Sequence, residues 1–225
     1  MRDDSHLDVE AELPAVEGWF AVADALLRGL NHALSNRLSS LVMATDEAKT
    51  LGRMQSLVTD AERITELLRL YRLLEGSDAE RVEAALIQDI VPDALILLSY
   101  HPALREVTCV VHGDPDTPPV LVSPSALTQA LVLIIYAAAR HLPHGFSGIG
   151  VALHFSGNAD WVEFHAETVM PLAPGQKVEV PELPAIRRLL RGGATGAASQ
   201  GPGGQARLSL RLPTLESRRK REREG

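Results

Sequence analysis

FAVADALLRGLNHALSNRLSSL, residues 20–41, is the stretch that decides how this chain folds. Its apolar positions Phe20, Ala23, Leu27, Leu30, Leu34, Leu38 and Leu41 recur at spacings of three and four, which is one face of a long helix. A second run, Met54, Leu57, Ala61, Ile64, Leu68 and Tyr71, steps three, four, three, four, three, the heptad pattern of a helix in a bundle. No proline interrupts residues 16–75, and the polar stretch TDEAKT at 45–50 suits a turn in which Asp46 or Thr50 caps the second helix. The expectation is an antiparallel helical hairpin. Two helices cannot bury both their faces against each other, so the remaining apolar stripe asks for a partner. A second copy completing a four-helix bundle is the simplest one, and the rest of the same chain is the other.

On a helical wheel at about 100° per residue, Leu30, Leu34, Leu38 and Leu41 all fall within about 60° of Leu27. His32 falls at about 140° from Leu27 and Asn36 at about 180°, with Arg28, Ser35 and Ser39 between about 80° and 120°. His32 is therefore expected to face solvent among small polar neighbours. On pattern alone it reads as an ordinary surface histidine.

Outward from the hairpin, residues 1–14 read as an acidic tail without periodicity, and EGSD at 75–78 as a boundary. The organisation expected is a hairpin domain at 15–77, a mixed α/β domain at 78–214 and a charged tail at 215–225. Within the second domain, residues 107–112 and 120–122 read as strands around the turn DPDTPP at 114–119. Ser123 and Pro124 open a helix that runs to about His141. Residues 149–154 and 161–166 alternate as strands around a turn at 157–160. Residues 184–191 read as a short helix, 192–204 as a mobile Gly-, Ala- and Ser-rich segment, and 207–212 as a last strand.

The 225 residues are enough for a sizeable core, and 45% hydrophobic with 23% charged residues is ordinary globular composition. A formal net charge of −7 argues against sequence-independent nucleic-acid binding, which needs clustered cations. The single Cys109 excludes an intramolecular disulfide framework and reads as a small apolar residue in a strand. The acidic first twenty residues do not resemble a signal peptide, and residues 130–139 are too short an apolar run to span a membrane, so a cytoplasmic protein is expected. His141 and His144 have a metal-like spacing, but at a helix end beside Pro143 they do not read as ligands. Trp19 and Phe20 read as core or dimer contacts.

LNHALSNRL at 30–38 resembles the phosphoacceptor box of bacterial sensor histidine kinases, whose helical hairpins dimerise into a four-helix bundle. Residues 107–139 are similar to the start of the kinases' ATP-binding domain, and GPGGQARLSLRLP at 201–213 to its closing glycine-rich turn and last strand. The likeness runs from about residue 20 to 214. It implies an α+β protein: a two-helix hairpin dimerising into a four-helix bundle, followed by a histidine-kinase-like α/β sandwich.

The departures imply that the sandwich is degenerate. Tyr136 stands where the kinases carry the asparagine that holds Mg²⁺ with ATP. EFHAETVMP at 163–171 lacks the Asp-x-Gly-x-Gly loop that reads adenine, the loop over the nucleotide is short, and Ala33 replaces the acidic residue that acts as base beside the histidine. Phosphoryl transfer is mostly positioning and charge neutralisation, and little of either remains here for ATP.

The resemblance then points to the dimeric histidine phosphotransferases of phosphorelays. On that implication His32 is the phosphoacceptor and Asn36 positions phosphoryl oxygens or a hydrolytic water. Arg28, Ser35 and Ser39 meet the partner. The chain itself binds no cofactor or metal, the Mg²⁺ being supplied by the receiver domain of a response regulator. Partners are receiver domains and a hybrid histidine kinase, with no nucleic acid and no membrane. The alternative is a non-catalytic pseudokinase scaffold that regulates a response regulator or a kinase by binding it.

Overall fold

A computed structural model of the chain describes residues 5–46, 51–75, 81–190 and 194–224. Two long helices, α1 (Ser5–Asp46) and α2 (Leu51–Glu75), form the hairpin. The turn expected at 45–50 and the boundary at 75–78 lie largely outside the described residues. α1 begins at Ser5, within the segment read as an acidic tail.

The mixed region follows as β1 (Glu83–Ala85), α3 (Ile87–Ser99), β2 (Val107–Gly113), β3 (Val120–Val122), α4 (Pro124–Ala139), β4 (Gly148–Gly157), β5 (Trp161–Pro171), α5 (Leu183–Leu189), β6 (Thr195–Gln200), β7 (Gln205–Pro213) and α6 (Leu215–Glu224). The five-stranded sheet has the order β2-β4-β5-β7-β6, with β2 parallel to β4 and the other pairs antiparallel. β1 and β3 make a separate antiparallel pair.

α4 is the core of this region. Ser123 caps it, its Oγ accepting from the Ala126 amide, and Pro124 fills the first turn where no amide partner is needed. Leu127, Leu131, Ile134 and Ile135 are fully buried. They pack against the alternating inward side chains of the sheet, Val151, Leu153, Phe164, Leu208 and Leu210 among them. A helix apolar on nearly every side can only be buried. It is covered by the sheet, α3 and α5.

Three elements depart from expectation. α3 carries Pro92 inside it, which removes one helical hydrogen bond and conceals the helix in the sequence pattern. The segment read as mobile contains β6, an edge strand held to β7 by six paired positions from Thr195 to Gln200, although its side chains are small. Its order comes from the backbone ladder, which composition does not report. The charged end is helical: Thr214 Oγ1 accepts from the Ser217 amide, and Leu215 N–H donates to the Pro119 carbonyl.

The apolar stripe of the hairpin is only partly covered. On α1 the buried side chains include Val22, Leu26 and Leu30, while Leu38, Val42 and Met43 are exposed. On α2, Leu67, Leu70 and Leu74 are buried, and Leu68 of the heptad run is exposed. The heptad face and the face that meets the rest of the chain are thus different sides of α2. Phe20 is exposed and Trp19 packs against the core. Among the described residues no helix is long and apolar enough to cross a membrane.

Candidate functional site

His32 sits near the middle of α1 and is exposed, as the wheel requires. Asn36, one turn on, brings its Nδ2 to 3.3 Å from His32 Nε2. An amide nitrogen can only donate, so a neutral ring in this contact presents its Nε2 lone pair to Asn36 and carries its proton on Nδ1. At 3.3 Å the bond is long and easily exchanged for another partner.

The surroundings of His32 are built from three helices and a loop. α1 contributes Gly29, His32, Ala33, Asn36 and Arg37, all on one face at helical spacing, and α2 contributes Arg63, Glu66 and Leu67. Ser99 and Tyr100 at the end of α3 and Arg105 before β2 close the other side of a cavity of about 730 Å³. A methyl group built on Gly29 would overlap the carbonyl oxygen of Tyr100, so a residue without Cβ is what lets α1 come this close to α3. Arg69 joins the other helix of the hairpin, α2, to α3. It donates to both Asp93 oxygens of α3 at 2.6 and 2.7 Å, and to Glu66 at 2.7 and 2.9 Å. Those carboxylates raise the Arg69 pKa, Asp93 most, and hydrogen bonding by Arg69 lowers that of Glu66. Gln129 of α4 donates to the carbonyls of Leu73 and Leu74, the otherwise open end of α2.

The cavity's three arginines are not equivalent. Arg37 Nη1 lies 3.4 Å from the buried Asp60, whose other oxygen accepts from Ser40 at 3.3 Å. Arg63 and Arg105 are exposed and have no carboxylate partner among the described residues. Glu66 is the carboxylate on the wall, and Arg69 already engages it.

The remaining residues singled out by sequence fall elsewhere. Arg28 is exposed and paired with Asp24 on its own helix, and Ser35 and Ser39 are exposed but do not line the cavity. Tyr136 lies against the buried His101, ring centroids 5.0 Å apart and tilted by 55°. Burial, and then the charge of Arg28, lowers the His101 pKa, and its Nδ1 accepts from the Ala103 amide. Cys109 is half-buried, and burial pushes its thiol up to about 11. No cluster of three or more metal-ligating side chains forms among the described residues.

Sequence reasoning missed Gly29, Arg37, Arg63, Tyr100 and Arg105. The first two were within reach of the wheel, since they share the helical face of Ala33 and Asn36. Arg63 and Arg105 carried no such signal, because only the register of the hairpin and the packing of α3 bring them to His32.

No protein-family model matches the sequence, and no curated protein matches it. Solved structures similar to this chain include the histidine kinase AdeS of Acinetobacter baumannii, 16% identical, with 84% of this chain and 97% of that chain covered and a TM-score of 0.45. A histidine kinase from Burkholderia phymatum STM815 is 12% identical over 91% of this chain and 97% of its own, with a TM-score of 0.46. The catalytic domain of histidine kinase ThkA is 9% identical over 60% of this chain and 97% of its own, with a TM-score of 0.48.

Proposed function

We propose that this chain is a histidine phosphotransferase of a two-component phosphorelay, passing a phosphoryl group between receiver-domain aspartates and His32 without using ATP. The observation that carries the reading is an exposed His32 at mid-helix, with Asn36 within 3.3 Å of its Nε2, at the mouth of an arginine-lined cavity. The nucleophilic form is the neutral imidazole, in which one ring nitrogen keeps a free lone pair. Transfer begins when Asn36 releases Nε2. The Nε2 lone pair attacks phosphorus in line, a P–N bond forms as the P–O bond of the aspartyl phosphate breaks, and the aspartate carboxylate leaves. The Nδ1 proton stays on the ring or passes to water. The return step reverses this toward a second receiver. The receiver brings the Mg²⁺ that offsets charge on the phosphoryl oxygens.

The residues of the sheet domain do not fit magnesium nucleotide in this reading. Tyr136, which the sequence resemblance sets at the metal-ligand position, has its ring packed against His101. The segment between β5 and β6 folds inward, with Ala185, Ile186 and Leu190 buried. The Glu182–Arg140 ion pair of 2.8 Å ties that segment to the end of α4. In the same reading the exposed Leu38, Val42 and Leu68 meet a second copy of the chain, completing a four-helix bundle.

Phosphate labelling tests the proposal. Wild type and His32→Ala are incubated with ATP alone and with a panel of phosphorylated receiver domains. Label from receivers on wild type only is the expected result. Binding of receivers without label on either protein would favour the scaffold reading, and label from ATP would overturn the assignment of Tyr136.

A further inference from the structure

We propose that Arg63 and Arg105, one from each side of the cleft between the hairpin and the sheet domain, form an oxyanion site that holds the phosphoryl group once it is on His32. The inference rests on the phosphotransfer reading and deepens it. It assigns the sheet domain a part in that step, namely to carry Arg105 to the phosphoryl oxygens.

Three observations converge on these residues. His32, Arg37, Arg63 and Arg105 line one cavity of about 730 Å³. Arg63 and Arg105 have no carboxylate partner among the described residues, whereas Arg37 is held toward Asp60 and Arg69 is saturated by Asp93 and Glu66. The chain as a whole has a formal net charge of −7, so two guanidiniums that line one cavity with a histidine and have no carboxylate partner among the described residues are not a by-product of general basicity. A guanidinium matches the oxygens of a phosphoryl group through two parallel N–H bonds, and a charge that has no protein partner keeps that capacity for a ligand. The close approach of Gly29 to Tyr100 seats the end of α3 on α1, and the Arg69–Asp93 fork ties α3 to α2, so both helices of the hairpin are fastened to the element that leads into the loop bearing Arg105.

Phosphohistidine carries a dianionic phosphoryl group, and inorganic orthophosphate is the free anion with the same oxygens. The site therefore binds orthophosphate in the absence of any transfer. Arg63→Gln and Arg105→Gln are exposed substitutions, expected to leave the circular dichroism spectrum and the urea unfolding midpoint at their wild-type values.

The full-length chain is titrated with sodium orthophosphate at constant ionic strength, with chloride as the competing anion and NMR of the His32 ring as the readout. Arg63→Gln, Arg105→Gln, the double variant and Arg72→Gln, an exposed arginine outside the cavity, are compared. Loss of one fork is expected to weaken orthophosphate about tenfold, with Arg105→Lys intermediate and Arg72→Gln unchanged. His32→Ala, followed by calorimetry, retains orthophosphate while losing transfer. Orthophosphate binding no tighter than chloride, or unmoved by Arg63→Gln and Arg105→Gln, overturns the oxyanion site even if receivers still label His32. Orthophosphate binding that depends on both arginines, with no receiver labelling His32, leaves the site standing and overturns the transfer reading instead.

Discussion

Gly29 of α1 lies directly under the carbonyl oxygen of Tyr100, close enough that any Cβ at position 29 would overlap it. This contact sets the distance between the hairpin and the sheet domain, one turn before His32. Gly29→Ala must part α1 from α3. It is expected to cost about 1–3 kcal/mol through overpacking, although alanine is the better helix former. Gly18→Ala is the control: its Cβ would find neighbours only at 4.0 Å, and the same change should stabilise by about 0.5–1 kcal/mol. Urea unfolding of the two variants measures both effects, which should have opposite signs.

Arg140 and Glu182 form the other clamp between α4 and the segment leading to α5. Glu182 is buried, its Oε1 is 2.8 Å from Arg140 Nη1, and Arg140 also donates to the Glu179 carbonyl at 2.7 Å. Arg140→Met strands a buried carboxylate and should cost about 2–4 kcal/mol, less than a fully buried pair because Arg140 is partly exposed. Adding Glu182→Gln should restore part of the loss. A double-mutant cycle in chemical denaturation checks this, and equal losses in Arg140→Met and the double variant would refute the coupling.

Stability should fall on mild acidification. Burial lowers the pKa of His101, assisted by Arg28. It also lowers that of His165, where Arg207 and His154 add to burial and Glu163 and Glu167 oppose it. A histidine whose folded pKa is depressed binds fewer protons folded than unfolded, so stability rises with pH through that range. The contribution is complete above the unfolded value of about 6.5 and is lost as pH falls below it toward the folded values. Thermal melts between pH 8 and pH 5 should show this decline, and His101→Gln should flatten it.

The exposed apolar side chains of the hairpin give a prediction about assembly. Leu38 and Leu68 are 45% and 47% exposed, and Val42 is 62% exposed. In a dimer built on the hairpin these residues face the second copy. Leu68→Glu or Leu38→Glu should then halve the mass measured by light scattering while leaving the far-ultraviolet circular dichroism unchanged. An unaltered mass would place the dimer contact, or the absence of one, elsewhere.

Local pattern determined a good deal of this protein. The three-four spacing of residues 20–41 settled the first helix and placed His32 and Asn36 on its polar side. Ser123 and Pro124 marked the start of α4, and alternation marked β4, β5 and β7. Each of these signals acts within a few residues, through periodicity or an unsatisfied amide, and such signals survive in a linear string. Tertiary structure decided the rest. β6 exists because β7 offers it a hydrogen-bonding edge, and α3 persists around Pro92 because burial of Val91, Ala94, Leu97 and Leu98 outweighs one missing bond. The setting of His32 was decided in the same way. Arg63 is 31 positions away in sequence and Arg105 is 73, and they reach its cavity only because Gly29 admits Tyr100 and Arg69 grips Asp93. A histidine's exposure is a property of its own helix, whereas the charges it meets depend on which surfaces the whole chain must bury.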